Sequence, residues 1–153
     1  SFCLFTRLYT LLMGIESILL FQIVINVYLL GVIIMTQFIT YPTFLIIDKN
    51  SFNKYHRKYV NIISIIVAPA MVLEITSLIV LVYLSKDFLL VKSLILLLCI
   101  WLTTFIMMVP SHNILSRKND SKEIKKLINI NWVRTFLWSV KLIVMLIIYY
   151  ETI

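Results

Sequence analysis

His56 stands in Tyr55-His56-Arg57-Lys58-Tyr59, and His112 follows Pro110 in Pro110-Ser111-His112-Asn113. An imidazole nitrogen ligates iron, and a guanidinium pairs with a carboxylate through parallel hydrogen bonds. Both histidines lie where long apolar runs end, and Asn113, Trp132 and Arg134 belong to the same end. The group is placed to bracket a flat, anionic cofactor such as haem, with His56 or His112 on the metal and Arg134 on a carboxylate. The plainer reading is that histidines flanked by Tyr and Lys anchor helix ends at an interface. A nucleophilic triad is not indicated, because Ser111 neighbours His112 but nothing supplies a third member or an oxyanion hole. Cys3 and Cys99 are far apart in the chain and form no CxxC, so no zinc or iron–sulfur site is expected.

Glu74, Lys92 and Lys141 fall inside apolar runs. There a charge costs about 2.5–3.5 kcal/mol on insertion into lipid. At about 1.5 Å per residue from the histidine end, Glu74 lies roughly 24 Å along its run and Lys92 roughly 26 Å along the next. Matching heights predict a buried Glu74–Lys92 ion pair with Asn26 close by. Such a pair fixes helix register, with Lys92 snorkelling outward, or it handles a proton or anchors a ligand. Lys141 lies roughly 14 Å from Trp132, and Gln37 is the nearest strongly polar group to it. Arg134, Trp138, Lys141 and Met145 share one helix face. That face is expected to line a cavity or to meet an anion supplied from outside the chain. The candidate ligand-binding residues are therefore His56, His112, Asn113, Trp132, Arg134, Trp138 and Lys141.

These side chains need long apolar helices to hold them. Hydrophobic residues are 61% of the 153 and charged residues 14%, more apolar surface than a soluble domain of this length can hide. Four runs, at about 18–41, 59–84, 88–109 and 132–150, each match or exceed the ~20 residues that cross ~30 Å of hydrocarbon. They are continuous, without the alternation of a barrel strand, so they predict helices. The expected fold is all-α: an integral membrane four-helix up-down bundle, one domain over 1–153. Pro42 is expected to bend or end the first helix, leaving Thr43 to Ile47 as an interfacial segment. Phe2 to Met13, with Arg7 inside it, suits a segment lying in the interface rather than a cleaved signal. Asp120 and Glu123, followed by Ile124, Leu127 and Ile128, predict an amphipathic helix running into the fourth span. With two Gly there is no glycine-rich phosphate loop and no GxxxG face.

Lys49, Lys54, Arg57, Lys58, Arg117, Lys118, Lys122, Lys125 and Lys126 all fall at one end of the runs, with Arg134 at its edge. The other end carries only Arg7 and Lys86. Basic residues are retained on the cytoplasmic side, so both loops should be cytoplasmic and both termini opposite, in a bacterial or organellar inner membrane. The net charge of +7 follows from this retention and from attraction to anionic lipid headgroups, and needs no nucleic acid.

Asn61-Ile62-Ile63 and Pro69-Ala70-Met71, followed by Lys92 in the next span, resemble the middle of the four-helix, haem-binding membrane protoporphyrinogen oxidases of bacteria. That family uses a Lys in the span after its Pro-x-Met helix, the place Lys92 holds. It also uses a His early in its first span, where this chain has Gln22 and Asn26. Pro110, His112, Asn113 and Leu115, with Asn131-Trp132-Val133-Arg134-Thr135, are similar to the anthrone-oxygenase-like four-helix membrane family. The enzymes of that family oxidise aromatic polyketides without metal or flavin.

The leading expectation is a small membrane protein that binds an apolar or aromatic cofactor or substrate at the cytoplasmic end, in the manner of an oxidoreductase. The alternative is a non-catalytic accessory subunit of a larger membrane complex, presenting Lys141 or Glu74 on its outer surface. A channel comes last, because one copy of four helices shows no repeat and would need a homo-oligomer to form a pore.

Overall fold

The computed structural model describes residues 2–152, with side chains from Met13 onward. Cys3 and Arg7, and the interfacial role expected of Phe2 to Met13, fall outside the described side chains. The chain is all-α. Helix α1 comprises Phe2–Met35, a π-helical turn Thr36–Thr40 and a last turn Tyr41–Thr43. Helix α2 is Lys49–Ser85. Helix α3 comprises Phe88–Thr103, a π-helical turn Thr104–Met108 and Val109–Leu115, and α4 is Ser121–Thr152. Each is long and apolar enough to cross a membrane.

Aspartates set three of the four starts. Asp48 accepts from the Asn50 amide at 2.9 Å, Asp87 from Leu89 at 2.6 Å, and Asp120 from Lys122 at 3.0 Å. A carboxylate at this position satisfies amides that have no partner within the helix. Between α2 and α3 only Lys86 and Asp87 intervene. Lys86 turns the chain in the left-handed region, at φ 53°, and its amide bonds back to Val82.

Both π turns have the same cause. A proline lacks an amide hydrogen, and its ring clashes with the carbonyl four residues back. Pro42 and Pro110 each sit just past a π turn, in which Tyr41 N–H reaches Thr36 O and Val109 N–H reaches Thr104 O. Widening the helix by one residue per turn absorbs the misfit without a break. The helix expected to bend or end at Pro42 therefore runs on to Thr43, and a tight turn follows through Ile47.

Helix α1 packs against α2 and α4, α3 packs against α4, and the α2–α3 seam is the loosest of the four. One core fills most of the bundle, with Leu19, Leu29, Leu78, Leu97, Trp138 and Met145 among its members. A second lies at the basic end, where Ile124, Leu127 and Ile130 of α4 pack with Tyr41, Phe44 and Phe52. The amphipathic segment expected before the fourth span is thus the first three turns of α4, packed on the bundle.

Candidate functional site

Two polar clusters lie inside the bundle and meet at Trp138. In the first, Lys141 Nζ donates to Glu74 Oε1 at 2.9 Å and to Gln22 Oε1 and Asn26 Oδ1 at 3.1 Å each. An ammonium has three protons, and all three are used. Trp138 Nε1 faces both Glu74 oxygens at 3.2 and 3.3 Å. Gln22 Nε2 donates to Glu74 O at 2.5 Å and to Ser77 Oγ at 2.6 Å, and Asn26 Nδ2 donates to Trp138 O at 3.2 Å. Gln22, Asn26, Glu74 and Lys141 are completely buried. The cluster is neutral and closed.

Glu74 therefore pairs with Lys141 and not with Lys92; Asn26 is present as expected. Lys92 is exposed and lies over the Phe88 ring at 4.7 Å, one turn from the start of α3. Heights counted from the ends of the apolar runs assume that those ends are level. Helices α2 and α4 begin earlier, at Lys49 and Ser121, and are offset along the bundle axis so that Lys141 lies level with Glu74. Gln37, expected beside Lys141, instead accepts from Asn131 Nδ2 at 2.7 Å. The anion expected from outside the chain is the chain's own Glu74.

The second cluster lines a half-open cavity of about 200 Å³. Tyr41, Tyr59, His112, Arg134 and Trp138 form its polar wall. Ser64 and Ala68 of α2 and Phe105 and Val109 of α3 line it and are exposed, so its mouth lies along the α2–α3 seam. Thr36, Thr104, Phe105 and Met108 are also in the lining, so both π turns border the space. A widened turn next to a cavity is a recurrent feature of functional sites.

Arg134 is the unusual member. It is 7% exposed, and no carboxylate pairs with it among the described residues. Its Nε is buried without a hydrogen-bond partner, and so is the Tyr59 hydroxyl. Its terminal nitrogen reaches Asn131 Oδ1 only at 3.5 Å, and its guanidinium lies 5.1 Å from the centre of the Trp138 ring. Stacking on an aromatic ring offsets about 2 kcal/mol, while a buried ion costs several. The balance leaves Arg134 short of an anion.

Behind this wall the two histidines touch. His56 Nε2 lies 3.1 Å from His112 Nδ1, His56 Nδ1 lies 3.1 Å from Ser116 Oγ, and His112 Nε2 lies 3.4 Å from the Tyr41 hydroxyl. His56 is fully buried, stacked on Phe52 at 5.5 Å and edge-on to Phe44 at 5.3 Å. An iron held between two imidazoles needs nitrogens about 4 Å apart and an open plane around it. The direct contact gives neither, and the cavity is smaller than the roughly 300–1,000 Å³ usual for a drug-sized ligand. The residues present do not fit a haem bracketed by His56 and His112.

Of the expected ligand-binding residues, His56, His112, Arg134 and Trp138 converge, and Lys141 lies beyond Trp138 in the closed cluster. Asn113 is exposed and takes no part. Trp132 is 47% exposed and packs edge-on against Phe38 on the outer surface, facing away from the cavity. Tyr41, Tyr59, Ser116 and Gln22 were missed. Gln22, Asn26 and Gln37 recur at helical spacing on one face of α1, a pattern that points to a polar partner face on α4. The tyrosines carried no such signal. Comparison with protein-family models, curated proteins and solved structures finds no match to this chain.

Proposed function

We propose that this chain is an integral membrane protein, an up-down bundle of four spans. In this reading it binds a membrane-dissolved molecule with an apolar or aromatic body and an anionic oxygen head. The observation that carries the reading is the Arg134 guanidinium, with its Nε unpartnered and no carboxylate beside it among the described residues, inside a cavity whose mouth is edged mostly by apolar side chains. The molecule enters sideways from the lipid through the α2–α3 seam, and its head reaches Arg134 and the Tyr59 hydroxyl. A volume of about 200 Å³ takes the head and the first ring or few carbons, and the remainder of the body stays in the lipid. Phe38, Ile65, Phe105 and Phe136, each more than half exposed, support a lipid-facing exterior. The basic loops then face the cytoplasm. The accessory-subunit alternative called for Glu74 or Lys141 on the outside, and both are buried against each other.

Fluorescence tests this reading directly. In a Trp101→Phe/Trp132→Phe background reconstituted in lipid vesicles, Trp138 is the sole tryptophan. A 2,6-dibromo-4-alkylphenol, ionised near neutrality, is expected to quench it, and the methyl ether of the same compound is not. Arg134→Gln should weaken the quenching by at least about 2 kcal/mol, roughly 30-fold in affinity. Equal quenching by the phenolate and the ether, or none by either, would sink the proposal.

A further inference from the structure

The contacts behind the cavity form an unbroken line: Ser116 Oγ, His56 Nδ1 at 3.1 Å, His56 Nε2 to His112 Nδ1 at 3.1 Å, and His112 Nε2 to the Tyr41 hydroxyl at 3.4 Å. We propose that this line is a proton relay between water at the basic end of the bundle and the oxygen head of the molecule in the cavity. It rests on the binding reading above and adds a second activity to it, proton exchange with the bound molecule.

The chemistry of the four groups makes the relay possible. A neutral imidazole donates from one ring nitrogen and accepts at the other, and a hydroxyl does both. The 3.1 Å contact between ring nitrogens requires one to donate and the other to accept, since two donors would repel. Two arrangements satisfy every contact. In one, Ser116 O–H donates to His56, His56 Nε2–H to His112, and His112 Nε2–H to the Tyr41 oxygen, leaving the Tyr41 proton free to point into the cavity. In the other, every donor has become an acceptor.

Passing from the first arrangement to the second moves one proton. Tyr41 O–H gives its proton to the ligand oxygen and takes the one on His112 Nε2. His112 Nδ1 takes the proton of His56 Nε2, and His56 Nδ1 takes that of Ser116, which is restored from water. One O–H bond forms on the ligand, one proton leaves the water, and nothing is oxidised or reduced. Ring and hydroxyl rotations reset the line.

The surroundings insulate it. Tyr41 is 3% exposed and His56 is fully buried between Phe44 and Phe52, while Ser116 is half-buried at the end of α3. Arg57 Nε donates to Ser116 O at 3.1 Å and Asn53 Nδ2 to Arg117 O at 3.1 Å, which fixes the outer end. The charged and titratable groups around the line are Tyr55, Arg57 and Tyr59 of α2, Arg117 beside Ser116, and Arg134 and Glu123 of α4, the last accepting from Ser111 beside His112 at 2.6 Å. Among these and the line itself, Tyr41, Tyr59, His112 and Arg134 also line the cavity. A ligand oxygen held at Arg134 is thus beside the Tyr41 end.

The same bromophenol separates the two claims, because its absorbance reports its ionisation and its bromines report its place beside Trp138. After a rapid drop in pH, the bound phenolate is expected to take up its proton quickly in the unmodified bundle. The rate should fall roughly 100-fold in His56→Gln, which does not line the cavity, with Trp138 quenching unchanged. Tyr41→Phe cuts the inner end and should slow the step equally, so it decides the matter if His56→Gln fails to fold. Unchanged rates in a variant that still shows quenching would overturn the relay and leave the binding reading standing. No quenching in the unmodified protein would overturn both, since a relay with nothing at its inner end delivers no proton.

Discussion

Lys141 and Arg134 are two turns apart on one face of α4 and meet opposite fates. Lys141 has three acceptors, one of them a carboxylate, and Arg134 has a ring to lie on and no carboxylate beside it. Removing one member of a buried pair leaves the other uncompensated, so Glu74→Gln or Lys141→Met alone should destabilise the bundle by about 3–5 kcal/mol. The double variant should lose much less than the sum of the two. Unfolding in mixed micelles, followed by circular dichroism, measures this; additive losses would show that the pair does not act as a unit. The shared face of Arg134, Trp138, Lys141 and Met145 was legible from spacing alone, because helical period fixes direction around an axis. The partner of Lys141 was not, because height along the axis depends on how the starts of neighbouring helices are offset. Helices α2 and α4 both begin before their apolar runs, at Lys49 and Ser121, and not at one level, so Lys141 comes level with Glu74.

The four helices owe their ends to signals that can be read one residue at a time. Asp48, Asp87 and Asp120 precede three of them, and Asp48→Ala should cost about 1 kcal/mol by removing the acceptor for Asn50 N–H. The π turns were not legible. Pro42 and Pro110 announce a disturbance, but whether a helix stops, kinks or widens depends on the packing past it. Here Tyr41 and Phe44 beyond one proline and Leu115 beyond the other are buried, and that packing holds the chain in line. The α2–α3 seam suits a test at this scale. Ala68→Phe fills the mouth of the cavity from an exposed position, so its effect on stability should stay within about 0.5 kcal/mol. Quenching of Trp138 by the bromophenol should nevertheless disappear. Persistence of the signal would place the entrance elsewhere.

At the scale of the whole molecule, the basic residues divide the two ends. A cysteine placed at Lys86 and one placed at Asn119, each in a background without Cys3 and Cys99, should react differently with a membrane-impermeant maleimide. In sealed right-side-out vesicles the first should label at once and the second only after permeabilisation. The reverse pattern would invert the bundle. Helix number and class were plain in the sequence, since continuous apolar length allows little else. The cavity was not, because it arises from how four helices fail to fill the space at one seam.

The neutrality of the Glu74–Lys141 pair has an electrical consequence. A voltage across a membrane does work in proportion to net charge moved, about 2.3 kcal/mol for one charge through 100 mV. Moved together, the pair contributes nothing to that work, and in the proposed membrane setting a bundle locked by it should hold its register whether the membrane is energised or not. Among the described residues, Arg134 is the buried charge with no such cancellation. Polarising the membrane should therefore leave the scaffold indifferent while shifting how readily an anion reaches Arg134.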